Sequence, residues 1–282
     1  MKEMKEHRDI MASPHTPAPA GAPRTVFHPD ASEAERRVRV DLAACYRLVD
    51  LYGMSDMILN HISARVPGAD EHFLINPFGL MYEEITASSL IKIDLEGRIV
   101  HNPDPAYTIN LPGYVIHSAI HAARPDVGCV LHTHTPAGMA ISALECGLLP
   151  LNQTAMRFAS DVAYHEFEGV AVDVDERQRL AANLGGRDVM ILRNHGLLAV
   201  GQTVAEAFVN MHRLERACQT QLLTQSAGSP LHMPAAAVIE HAYRQLRRAP
   251  TPRPDGSFPP HGEREWPALL RMLDRRDPSY RD

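Results

Sequence analysis

The stretch Val127-Gly128-Cys129-Val130-Leu131-His132-Thr133-His134 decides how this chain reads. An apolar, β-branched run of strand length ends in two histidines two positions apart. Side chains on a strand alternate faces, so His132 and His134 point the same way at the strand's mouth. Two imidazoles on one face can grip a borderline metal such as zinc. A second apolar run, Asp188-Val189-Met190-Ile191-Leu192-Arg193-Asn194-His195-Gly196, ends in a third histidine followed by glycine. An isolated HxH also reads as ordinary polar residues where a strand meets a loop. The third histidine tips the reading, because three histidines at the ends of two strands are the ligand count of a catalytic metal site with one position open.

Outward from these strands, periodicity predicts a helix over Tyr114 to Ala123, with His117 and His121 one turn apart. Another helix follows the HxH, from Pro136 to Leu144. Cys146 to Leu151 reads as a turn and strand, Val162 to Phe167 as a short strand, and Asp175 to Leu184 as a helix. A long helix is predicted over Val204 to Ser226, with further helices near Ala235 to Arg247 and Trp266 to Leu273. Toward the N-terminus, Ser32 with Glu33 and Glu35 marks a helix start, and Gly53 stops that helix. Ser55 to Val66 and Phe73 to Asn76 read as strands in a hairpin-like pair. Ile85 to Leu90 reads as a helical turn, and Ile91 to Leu95 and Ile99-Val100 as strands. The fold class is α/β: a mostly antiparallel sheet layered with helices. Residues 1–31 form a proline-rich arm, 32–226 the domain, and 227–282 a Pro/Arg-rich tail with short helices.

The 282-residue chain is 45% hydrophobic and 22% charged, ordinary for a globular protein. A net charge of -6 argues against nucleic acid as the partner. No apolar run reaches membrane-spanning length, and the N-terminus carries no secretory signal pattern. Cys45, Cys129, Cys146 and Cys218 lie far apart, which fits buried free thiols in a reducing cytoplasm.

The stretch Ser55 to Arg65, Ile75-Asn76-Pro77-Phe78-Gly79, Leu131-His132-Thr133-His134 and Leu192-Arg193-Asn194-His195-Gly196-Leu197 resemble, in order and spacing, the class II aldolase/adducin family. Arg124-Pro125-Asp126-Val127 and Val162-Ala163-Tyr164-His165 are similar to its adducin-like branch. The resemblance implies a three-layer α/β/α domain and a homotetramer with active sites at subunit interfaces. It also implies a divalent metal, zinc first and Mn2+ or Fe2+ next, on His132, His134 and His195. The family's sugar-phosphate aldolases carry Ser-Ser-Glu ahead of the helix leading to the HxH strand, and the glutamate is their proton carrier. Here those positions are Leu111, Pro112 and Gly113, so the obvious general base is gone. Asn60 and Gly79 sit where the family's phosphate-contacting turns contribute, which makes them substrate-binding candidates, with Arg193 beside the third histidine as another. Asn76 and Phe78 depart from the threonines usual near there.

Candidates to replace the glutamate are His117, Tyr164 and His165. His117 also reads as a packing histidine, Tyr164-His165 as a solvated strand end, and His121 and His61 as structural. The first functional expectation is a metal-dependent lyase, aldolase-type or decarboxylase, acting on a small hydroxy- or keto-acid or carbonyl compound. A non-catalytic adducin-like oligomeric module and a three-histidine iron oxygenase are the alternatives.

Overall fold

A computed structural model describes residues 31–68, 71–169, 174–247, 253 and 256–282. The arm expected over residues 1–31 lies, except for Ala31, outside them.

The first helix, α1 (Glu33–Leu51), starts where Ser32 Oγ accepts the Glu35 N–H at 3.1 Å, and it ends at Gly53, whose φ of +67° closes the turn. Eight strands then build one sheet: β1 (His61–Arg65), β2 (His72–Ile75), β3 (Ile91–Asp94), β4 (Ile99–His101), β5 (Cys129–Thr133), β6 (Val162–His165), β7 (Val189–Leu192) and β8 (Gly196–Gly201). Their spatial order is β4-β3-β2-β1-β5-β8-β7-β6. All neighbours run antiparallel except β6 and β7. The other helices are α2 (Leu111–Ala123), α3 (Pro136–Ser142), α4 (Gln153–Met156), α5 (Val174–Leu184), α6 (Val204–Ser226), α7 (Ala236–Leu246) and α8 (Glu265–Arg276).

Alternation along the central strands explains the layers. Leu131, Ile191, Leu197 and Ala199 join one core with Leu42 and Leu48 of α1 and Met211 and Leu214 of α6. Val130, Met190, Leu198 and Val200 join a second core with Ile116 and Ile120 of α2 and Leu180 and Leu184 of α5. Strands covered on both faces carry apolar residues at nearly every position, which is why they read as continuous runs. His61, Ser63 and His132 share the α2 face by the same alternation, and β1 pairs with β5 so that His61 faces His132 across the ladder.

Three expected elements differ. Ser55–Leu59 is a loop and only His61–Arg65 is strand, because Met57 takes a left-handed φ of 47° and the Leu59 N–H turns back to Asp56 O. Cys146–Leu151 is not a strand. Its amides go to side chains instead, Leu148 N–H to Tyr164 Oη and Leu149 N–H to Gln221 Oε1, around a left-handed Gly147. Ile85–Leu90 is not helical. Thr86 and Ser89 bond each other's backbone through their hydroxyls, which competes with helix, and the one 3-10 turn there is Tyr82–Glu84.

The C-terminal segment packs as part of the core. Trp266, Leu273 and Tyr280 are buried with α1 residues, and Trp266 Nε1–H donates to Asp41 at 2.8 Å. Cys45, Cys129 and Cys218 are buried free thiols, whereas Cys146 is exposed. Among the described residues no helix is long and apolar enough to cross a membrane.

Candidate metal centre

Strand β5 delivers His132 buried at its end, and His134 follows one residue past the strand. Thr135 then caps α3, its hydroxyl accepting the Gly138 N–H at 3.1 Å, so the chain turns away directly behind the two histidines. His195 stands in the β7–β8 hairpin, in a turn that Asn194 closes with a left-handed φ of 54°. The glycine after it is sterically required. A Cβ on Gly196 would sit 2.3 Å from Thr133 O and 3.4 Å from His132 Cε1. Only a bare Cα lets β8 press this closely on the HxH turn.

The three rings converge. His132 Nε2 lies 2.7 Å from His134 Nε2, which lies 3.0 Å from His195 Nε2. The other nitrogens fix the tautomers of two of them. His132 Nδ1 is 2.8 Å from Leu197 O, and His134 Nδ1 is 3.2 Å from the Asp56 carboxylate. A carbonyl and a carboxylate only accept, so both Nδ1 atoms donate and both Nε2 atoms present lone pairs. Bare lone pairs that close repel unless a cation sits among them. A tetrahedral zinc, with bonds of about 2.0–2.1 Å, spaces its nitrogens ~3.3 Å apart. The His132–His134 and His134–His195 separations reach that spacing by opening about 0.6 and 0.3 Å. Burial pushes His132 well below its ordinary range, and the neighbouring His195 and His134 charges add to this. Burial, and then His134, lowers His195 to about 4. Both therefore reach neutral pH uncharged, the form a metal needs.

The cluster opens on a cavity of about 550 Å³ walled by Leu59, His61, Gly113, Ile116, Met139 and Phe167. His132, His134 and His195 come together as expected from the sequence. His117 is fully buried behind the cavity wall, hydrogen-bonded to His61 and Ser63 rather than facing the cavity. Tyr164 and His165 do not line it. Their strand β6 is at the sheet edge, with β8 and β7 between it and β5. Tyr164 Oη accepts the Leu148 N–H, and His165 is held by Asn183 at 2.9 Å. Arg193 is likewise engaged elsewhere, donating to Leu144 O and stacking its guanidinium over the Tyr164 ring at 4.4 Å. Gly79, at φ +115°, packs against the Tyr107 ring outside the cavity wall. Asn60 is also absent from the wall, yet both atoms of its buried side-chain amide lack a partner among the described residues.

Two site residues were missed in the sequence. His61, read as structural, lines the cavity. Asp56 orients His134 from a loop that was expected to be strand. For His61 the i, i+2 pairing with Ser63 was an available signal. For Asp56 there was none, because 78 positions separate it from its partner.

The profile of the class II aldolase and adducin N-terminal domain matches residues 40–222. The chain belongs to the class II aldolase and adducin family. An aldolase II superfamily protein from Pseudomonas syringae shares 50% identity and superposes with a TM-score of 0.83, covering 90% of this chain and 98% of that one. Alpha-adducin of Mus musculus is 47% identical over 249 residues, 86% of this chain and 34% of the adducin. L-fuculose 1-phosphate aldolase from Glaciozyma antarctica is 28% identical at a TM-score of 0.76, covering 91% of this chain and 96% of that one. The central sheet, mostly antiparallel with helices on both faces, is the fold of these class II aldolase neighbours.

Proposed function

We propose that this chain is a metal-dependent carbon–carbon lyase, of aldolase or decarboxylase type, acting on a small hydroxy- or keto-acid or carbonyl substrate. The observation that carries the reading is the convergence of three imidazole nitrogens on one point, two of them with their opposite nitrogen tied to an acceptor. Tied rings of this kind are arranged for a ligand rather than for packing.

His132, His134 and His195 would hold the ion, and zinc suits three imidazoles and an open fourth position, with Mn2+ and Fe2+ as the other candidates. When bound, a divalent ion with neutral ligands supplies a Lewis acid for a carbonyl or an enediolate. The protein does the rest. Asp56 holds the His134 ring, Leu197 O holds His132, and Ile116, Met139 and Phe167 give the cavity apolar walls. None of the described cavity-lining residues is Lys or Arg, and Ile116, Met139, Phe167 and Leu59 make much of the wall apolar. That favours a small unphosphorylated substrate, although a sugar-phosphate aldolase is among the structural neighbours. We also take the protein as a homo-oligomer, a tetramer by family resemblance.

The similarity to alpha-adducin, together with glycine at position 113, favours a second reading: an oligomeric binding module without turnover. A ferrous oxygenase on the same three histidines is a third. Elemental analysis of gently purified protein separates them. Stoichiometric zinc that disappears in His132→Ala, with cleavage activity lost alongside, is the expected result. Unchanged metal content in His132→Ala overturns the lyase reading. Oxygen consumption restored by iron alone would assign the oxygenase instead.

A further inference from the structure

We propose that His61 is the proton-carrying catalytic residue of this site and that Gly113 is glycine because the His61 ring occupies the space a side chain there would need. The proposal deepens the lyase reading and rests on it.

The first observation is steric. A Cβ built on Gly113 would lie 2.0 Å from His61 Nε2 and 2.4 Å from its Cδ2. Any other residue at 113 must therefore expel the imidazole. Gly113 and His61 both border the cavity onto which His132, His134 and His195 open. The hydrogen bond of His61 runs through Nδ1 to His117, not to the three metal-facing rings.

The second observation is the chain behind that ring. His61 Nδ1 lies 2.8 Å from His117 Nε2, His117 Nδ1 lies 2.7 Å from Ser63 Oγ, and Ser63 Oγ lies 2.8 Å from His121 Nε2. All four side chains are buried. Ser63 has one hydroxyl proton and two imidazole neighbours, so it donates to one and accepts from the other. With the rings neutral, only two hydrogen-bond directions are self-consistent. In one, each proton points from His61 toward His121, and His61 Nε2 is a bare acceptor. In the other the order reverses, and His61 Nε2 carries a proton it can deliver. One set of atoms thus serves as base and then as acid.

The transfer balances. A substrate proton moves to His61 Nε2, and the electron pair of the broken bond stays on the substrate. The His61 Nδ1 proton can shift to His117 Nε2, which moves the added positive charge onto His117, whose Nδ1–H donates to Ser63 Oγ while the Ser63 hydroxyl donates to His121 Nε2. Protonation of the product runs the same steps backward. His117, Ser63 and His121 are positioning residues, since none of them lines the cavity.

The test uses the full-length protein loaded with zinc. Dihydroxyacetone, glycolaldehyde and pyruvate are incubated with it in D2O, and exchange of their carbon-bound protons is followed by NMR. Wild type exchanges at least one probe, and His61→Asn and Gly113→Ala each slow that exchange at least ~100-fold at unchanged zinc content. Nitrogen-15 histidine spectra of wild type show a coupling across the His61–His117 hydrogen bond. Ser63→Ala, which leaves the cavity wall intact, removes the hydroxyl that holds His117 Nδ1, slows the exchange at least ~10-fold with His61 in place, and keeps the question answerable if His61→Asn does not fold. Zinc-bound wild type that exchanges none of the probes, His61→Asn that exchanges at the wild-type rate, or an absent coupling each overturns the proposal. Wild type that retains no zinc overturns the lyase reading separately, and the coupling, which needs no metal, still decides whether the chain exists.

Discussion

The Asp56 carboxylate stands 3.2 Å from Nδ1 of His134, a contact made across 78 residues of sequence. It aims the opposite nitrogen of His134 at His132 and His195, and it makes that nitrogen more basic. Removing it leaves the ring in place but free to rotate and to change tautomer. Asp56→Ala should weaken zinc binding ~10–100-fold, read by competition with a chromophoric chelator. An unchanged affinity would mean that the contact is incidental.

The proposed metal site should couple zinc to stability, because the three rings converge only in the folded chain. Zinc at 1,000 times its dissociation constant adds about 4 kcal/mol to unfolding. Chelation should therefore lower the wild-type melting temperature by several degrees, and zinc should restore it. His132→Ala should melt at one temperature with or without zinc. A zinc-dependent shift in that variant would count against the three-ring site.

A pH effect follows from the buried histidine at the far end of the chain. Burial, then the Arg65 charge, takes His121 from its ordinary 6.5 down to about 3. The folded value lies below the unfolded one, so between the two the unfolded chain binds more protons and stability rises with pH. The contribution is complete above pH 6.5 and erodes as pH falls toward 3. At pH 5 the loss from this one group is about 2 kcal/mol. Urea unfolding at pH 7.5 and pH 5.0 should show a drop that is smaller by about that amount in His121→Leu. Equal drops in the two proteins would assign the acid sensitivity to other groups.

Trp266 ties the last helix to the first. It is 7% exposed and donates to Asp41 at 2.8 Å. Trp266→Ala should cost about 3–5 kcal/mol by circular dichroism, with the metal affinity intact. A loss under about 1 kcal/mol would show that α8 merely lies on the surface.

Helix boundaries were legible at α1 and α6, whereas α2 begins at Leu111, three residues ahead of the predicted Tyr114, because Asn110 caps the Gly113 N–H ahead of two residues, Pro112 and Gly113, that read as helix breakers. The helix predicted over Val204 to Ser226 is α6 as observed, with Thr203 Oγ1 capping the Glu206 N–H. Ser32 and Gly53 bracket α1 in the same way. Legibility failed where side chains competed for backbone groups, as Thr86 and Ser89 do, or where a left-handed residue such as Met57 broke a β-like run. Those bonds depend on three-dimensional closure rather than on pattern.

The sequence by itself determined the sheet class and the three histidines that converge, because strand alternation and a terminal glycine are local properties of the chain. Only the tertiary structure decided what surrounds them. On α2, positions 113, 117 and 121 recur every four residues, about 6.0 Å along a helix axis. On β1, positions 61 and 63 recur every two residues, about 6.6 Å along a strand. The two stripes come into register only when the helix lies against the sheet, and then Gly113 makes room for His61 while Ser63 bridges His117 and His121. Neither stripe carries a mark of the other, since their meeting is a property of packing rather than of sequence spacing.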